Sequence, residues 1–442
     1  MFVVSRRARL LLAALSLVGF PSAALRADTT FDSGTMTLST GTDFGPKLFV
    51  GYVGTATLEV VGGVAASSDA WLGFNDGSNG SVTVSGGTWI SREDLTVGRS
   101  GTGILTINGG LVTVGGTLSQ GAAGTISLNS GGTLRIGAGN TGGVLGVSAL
   151  TNHGTLIFDR SNGSTYSGII GGSGAVTKQG VGELVLSGSN TYTGTTSVNQ
   201  GTLRVTNGGA LQSSPIVVQT GGTLALPNTS RLVLTATSLS VDQATGGTLD
   251  IGKGRIDIAT GATEADLRAD LIAGRSGGTW SGSSGIVTTG GKAGAATQPV
   301  VGYRVFATGA ATVAWAAFGD VNLDGRVDST DISLINGGGR FNQWSPATWV
   351  QGDFTYDGIV NSTDISLING SRLYGTGSYL PVVSVPEPST WVTALAGLTC
   401  ATWLASRRRG TRRGAERSSS LPVAIRGSGH KPRAAAPPRR VV

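Results

Sequence analysis

Two acidic stretches of this chain carry residues suited to holding a hard cation: GDVNLDGRVDSTDISLIN at 319–336 and GDFTYDGIVNSTDISLIN at 352–369. Their trailing halves, VDSTDISLING and VNSTDISLING, differ at one position in eleven and start 33 residues apart. The first fits the calcium-loop pattern D-x-[DN]-x-[DN]-G and the second departs from it only at Thr355; in such a loop alternate residues of a tight turn aim oxygens at one point and the glycine permits the turn. The first loop offers Asp320, Asn322, Asp324, the Arg326 carbonyl, Asp328 and Asp331; Gly325 makes the turn. The second offers Asp353, Thr355, Asp357, the Ile359 carbonyl, Asn361 and Asp364, turning at Gly358. A threonine hydroxyl is a poorer ligand than a carboxylate or amide oxygen, so Thr355 predicts a weaker second site.

The rest of the chain offers little other chemistry. There are two histidines, His153 and His430, and one cysteine, Cys400, which exclude an intrachain disulfide and are too few for a four-coordinate Cys/His zinc site. The acids between 70 and 260 are scattered: Asp76, Glu93, Asp94, Asp159, Glu183, Asp242, Asp250 and Asp257. Paired-carboxylate hydrolysis needs two acids facing one site, and adjacent residues such as Glu93 and Asp94 point to opposite faces of a strand. The expectation is a non-enzymatic protein. The formal charge of +7 is carried by the ends, +4 in residues 1–27 and +10 in 405–442; this leaves −7 for 28–404. An acidic body offers no groove for nucleic acid.

The elements that position the acidic loops are strands. Glycine occurs 74 times in 442 residues, and charged residues make up only 13%. The runs TLEVVGG (57–63), SVTVSGG (81–87), ILTINGG (104–110) and TISLNSGG (125–132) place their Gly-Gly pairs at 62, 86, 109 and 131. Alternation of period two, stopped by glycine bends at a near-constant interval, predicts one coil of a β-solenoid per repeat over 28–260. An antiparallel sandwich is the alternative. Asn108 and Asn129 fall at the bends, where a tolerated left-handed conformation or a side-chain ladder is useful. Residues 263–275, TEADLRADLIAGR, predict a helix ended by Gly274, inside a connecting segment 261–315.

GELVLSGSNTYTGTT followed by NQGTLRV, within 174–205, resembles the autotransporter-associated β-strand repeat, which implies a right-handed parallel β-helix of a surface protein. The twin acidic loops, each followed by ISLIN, closely resemble type I dockerins over about 318–372, within a module at 316–378. That resemblance implies bound Ca2+ and a cohesin-type partner, with Ser329, Thr330, Ser362 and Thr363 near the recognition positions. A basic, then apolar N-terminus (1–27) has the pattern of a secretory signal peptide. VPEPSTWVTALAGLTCATWLASRRR (385–409) resembles a PEP-CTERM sorting signal, with Pro386, Glu387 and Pro388 as its motif. It implies an exosortase-type processing enzyme. Its apolar run, 391–405, would reach roughly 22 Å as a helix against a hydrocarbon core of about 30 Å. A basic tail, 410–442, follows.

The expected fold is mainly β: a β-helix, a small α-helical dockerin-like calcium module and a C-terminal transmembrane helix. The expected role is attachment by an exported envelope protein, membrane-anchored before sorting. The alternative is a solenoid that binds or degrades polysaccharide, docked to a cohesin scaffold. Trp71, Trp89 and Phe158 are its candidate sugar-stacking residues.

Overall fold

The computed structural model describes residues 28–290 and 300–380. The leader (1–27), the motif Pro386, Glu387 and Pro388, the apolar run 391–405 and the tail 410–442 lie outside the described residues.

Alternating runs build the solenoid as the repeat spacing predicts. Asn79–Val84 pairs in parallel with Thr102–Ile107, which pairs in parallel with Gly124–Leu128. The registers put Val82, Leu105 and Ile126 in one inward column and Val84, Ile107 and Leu128 in another, all buried. A second parallel sheet of ten strands runs from Thr42–Asp43 to Leu239–Val241. Each coil cannot bury its apolar face alone, and stacking makes one thin, continuous core.

The glycine pairs set the bends. Gly63, Gly87 and Gly110 have φ of 64°, 65° and 68°. A Cβ on Gly87 would lie 2.5 Å from the Gly63 carbonyl oxygen, and one on Gly110 would lie 2.5 Å from that of Gly87. Both the conformation and the close approach require glycine. The amide ladder is present: Asn129 Nδ2 donates to Asn108 Oδ1 at 2.7 Å. Farther along, buried Asn190 joins three coils, accepting from Ile170 N at 2.8 Å and donating to Ala210 O at 3.0 Å.

Segment 261–315 closes the stack. Helix α1 (Glu264–Arg275) is capped by Thr263 and buries Leu267 and Leu271. It continues past the glycine expected to end it and stops at Ser276, which is left-handed with φ 43°. Gly274 serves a different purpose: a Cβ there would sit 1.8 Å from the Ile286 carbonyl oxygen. Strand Gly285–Val287 adds in parallel to the solenoid strand Thr248–Asp250. The hairpin Val300–Val305/Ala311–Ala316 then pairs antiparallel with Arg255–Ile258. Two short helices follow, α2 (Ser329–Gly338) and α3 (Ser362–Ser371).

The run 391–405, expected to form a transmembrane helix, lies outside the described residues. The longest helix among the described residues is α1, with 12 residues, and none of them is long and apolar enough to cross a membrane. The reading of the chain as membrane-anchored before sorting is corrected accordingly.

Candidate metal centre

The twin loops follow one backbone path. Gly325 and Gly358 turn at φ 90° and 93°, and Leu323 and Tyr356 are left-handed at 63° and 58°. Asp328 and Asn361 cap α2 and α3, each completing a capping box with Asp331 or Asp364. This explains why each STDISLING run opens a helix: the residue at loop position 9 accepts from an amide of the first turn, which would otherwise lack a partner.

Asp320, Asp331, Asp353 and Asp364 are completely buried. Asp331 Oδ1 accepts from Val321 N at 3.0 Å and Asn322 N at 3.3 Å, and its Oδ2 accepts from Asp328 N at 3.0 Å. Asp364 repeats this with Phe354 N at 2.9 Å, Thr355 N at 3.0 Å and Asn361 N at 3.0 Å. Asp320 Oδ1 accepts from Asp324 N at 3.2 Å, and Oδ2 accepts from Gly325 N at 2.9 Å and from the Tyr379 hydroxyl. Asn322 and Asp324 face each other, with Nδ2 donating to Oδ2 at 2.9 Å. Asp353 Oδ2 accepts from Gly358 N at 2.9 Å and from an Arg268 guanidinium nitrogen at 3.0 Å. Thr355 Oγ1 approaches Asp353 Oδ1 at 3.4 Å, and Asp357 Oδ1 accepts from Ile359 N at 3.0 Å.

The carboxylates are thus largely engaged by main-chain amides. Among the described residues no group of three or more His, Cys, Asp or Glu side chains stands together as a ready metal cage. The expected metal sites are not preformed. The donor chemistry of loop 1 nevertheless suits a hard cation, since every candidate atom is oxygen. Burial pushes the Asp320 carboxyl up to about 6, against the Tyr379 and Gly325 hydrogen bonds, with Asp331 and Asp324 adding like-charge repulsion. Buried like charges without a countercharge are costly, and a cation relieves that cost.

The loops share a core with the end of the solenoid. Trp349, fully buried between them, donates from Nε1 to the Asp320 carbonyl at 2.9 Å and meets the Phe354 ring at 4.8 Å. Tyr356 stacks on Tyr303 at 6.0 Å and donates to the Val301 carbonyl. Sequence reasoning missed Arg268, Tyr379 and Trp349. Arg268 lies 85 residues from Asp353, and no local pattern marks it. Ser329, Thr330, Ser362 and Thr363 are exposed at the starts of α2 and α3.

Two of the three candidate sugar-stacking rings point inward, because Trp89 and Phe158 are 0% and 4% exposed. Trp71 is only partly buried and belongs to a cluster: it stacks on Phe49 at 4.9 Å, and Tyr52 stacks on Phe74 at 5.0 Å. The Arg99 guanidinium lies 4.3 Å from the centre of the Phe74 ring.

Comparison with known proteins agrees with this architecture. Residues 318–371 match the dockerin type I domain, and residues 176–205 match the passenger-associated-transport-repeat. The adhesin BmaC autotransporter of Brucella suis biovar 1 (strain 1330) is 34% identical over 125 residues, 27% of this chain and 3% of that protein. The uncharacterized lipoprotein YdeK of Escherichia coli (strain K12) is 30% identical over 207 residues, 42% of this chain and 16% of that protein. The chain therefore spans only a small part of either relative's length. No solved structure matches it. Fold and comparison together define a class, a β-solenoid with an attached module. More narrowly, the solenoid carries a stretch that matches a passenger-type repeat and the module matches the dockerin type I domain.

Proposed function

We propose that this is an exported, non-enzymatic surface protein, with its solenoid presented outside the cell and its terminal module attaching it to a cohesin-type partner. The observation that carries this reading is the pair of exposed Ser-Thr steps, 329–330 and 362–363, on near-identical loops within the stretch that matches a dockerin. The passenger-type repeat, and similarity to a protein named an adhesin autotransporter, support outward presentation. The leader at 1–27 and an exosortase-type enzyme acting near Pro386-Glu387-Pro388 supply export and processing. Calcium in loop 1 would be held by Asp320, Asn322, Asp324, the Arg326 carbonyl and Asp331. Its chemistry there is neutralisation of buried carboxylates, which couples binding to folding.

The test is the full chain against a panel of purified cohesin modules, with calcium and with chelator. At least one cohesin binds in calcium and is released by chelator. Replacing Ser329, Thr330, Ser362 and Thr363 together by Asp weakens that binding at least tenfold. A panel without any binder removes the attachment role.

The Trp71 cluster favours a second reading, in which the solenoid binds carbohydrate. Sugar rings pack on exposed aromatic faces as other apolar surfaces do. On a glycan array the full chain then retains at least one glycan and Trp71→Ala loses it; an empty array for the native chain ends this reading.

A further inference from the structure

The two loops are near-copies, but the buried carboxylates that open them have different partners. Asp320 is met by neutral donors only, the amides of Asp324 and Gly325 and the Tyr379 hydroxyl. Among the described residues no Lys, Arg or His forms an ion pair with it. Asp353 is paired with Arg268 at 3.0 Å. The other arm of that guanidinium donates to the Tyr356 carbonyl, also in the loop, at 2.7 Å. The planar fork therefore bridges two oxygens of loop 2 from outside, with a charge that does not titrate in the working range.

The arm is aimed by its helix. Leu267 and Leu271 are buried on α1, and Glu264, one turn before Arg268, accepts from the Tyr303 hydroxyl. The Arg268 side chain is 22% exposed and the Asp353 side chain 0%. A fixed positive charge so poorly screened repels a divalent cation offered to the same carboxylate. Thr355 replaces an amide or carboxylate at the next ligand position, which lowers the attraction further.

We infer that Arg268 takes the cation's place in loop 2: calcium loads loop 1 alone, and the guanidinium closes loop 2 and latches the module onto the solenoid's terminal helix. This rests on the calcium reading of loop 1 given above. It adds that the twin loops have divided their work, one to metal and one to an internal latch. Loop 2 then stays closed at low calcium, and metal availability governs loop 1 only.

Calcium titration calorimetry on the full chain tests this. One site is expected in the native protein, and none in Asp320→Asn. Arg268→Met, or Arg268→Gln as a shorter neutral replacement that keeps donors, gains a second site. In chelator both Arg268 variants melt below the native chain, and calcium restores part of the loss. Two sites of equal affinity in the native protein overturn the inference and leave the calcium reading intact. No site at all overturns the calcium reading, and melting in chelator then decides the latch alone: equal melting of native and Arg268 variants removes it. A single site that survives Asp320→Asn places the metal in loop 2 and also overturns the inference. If neither Arg268 variant folds, the counts from the native chain and Asp320→Asn still decide which loop is loaded.

Discussion

Trp349→Ala lowers the stability of the folded chain by about 4 kcal/mol, read as a drop in the guanidinium midpoint. The ring is completely buried between the acidic loops and against the hairpin. It lies so close to Gly302 that a Cβ there would come within 2.7 Å of the ring. Gly302 has no side chain to move into the space the ring would leave, which favours a persistent cavity and a cost toward the upper end for a large-to-small change. The Asp320 carbonyl also loses its indole donor. Trp349→Phe separates the two effects: it keeps most of the packing, loses the hydrogen bond and costs about 1–2 kcal/mol. A loss below about 1 kcal/mol for alanine, the range of an ordinary surface change, would mean that the module does not share a core with the solenoid's end.

The parts of this structure that sequence made legible are those set by local backbone geometry. Gly87 and Gly110 are readable because a bend of that shape, stacked coil on coil, admits only glycine, so the requirement repeats with the coil. The acidic loops are readable because ligand positions, the turn glycine and the helix cap fall within twelve residues. Trp89 and Phe158 are candidate surface rings in the sequence, because period two gives the alternation of a strand without saying which of its faces is buried. In Thr88–Ser91 Trp89 shares a face with buried Ser91, and in Thr155–Asp159 Phe158 shares a face with buried Leu156. Gly274 misled for a related reason. A glycine near a helix end suggests a stop, but here it lets α1 approach the Ile286 carbonyl, a contact that no local pattern shows. The latch is the extreme case: Arg268 and Tyr379 reach the two loops from opposite sides in sequence, 85 residues before Asp353 and 59 after Asp320. Such pairings are products of the tertiary fold. The apolar run 391–405 is already short for a membrane span, and no helix among the described residues is long and apolar enough to supply one.

Lys178→Met destabilises the solenoid by about 3 kcal/mol, and it removes a pH dependence that the native chain carries above pH 8. Lys178 lies on strand Ala175–Gln179, within the passenger-type repeat, and is only 2% exposed. Its Nζ donates to the carbonyls of Gln179 at 3.0 Å, Gly180 at 2.7 Å and Gln200 at 3.0 Å. The last of these belongs to the following coil, so one ammonium ties two bends together. Methionine fills nearly the same volume but takes the ammonium donor from three part-buried carbonyls, and that loss outweighs the relief of removing a buried charge. Burial pushes the lysine pKa down to about 8 from an unfolded value of 10.5, with Asp159 opposing the shift. Between those values the unfolded chain holds a proton that the folded chain has released, so stability rises as pH climbs from about 8 to 10.5 and is flat below. Melting curves of both proteins at pH 7, 8, 9 and 10 read this out. Buried tyrosines titrate alike in the two and cancel from the difference, so the gap between native and variant widens with pH. A constant gap would mean that the ammonium keeps its proton, its three carbonyls outweighing desolvation, and the bends would then be held by a fixed charge instead of a titrating one.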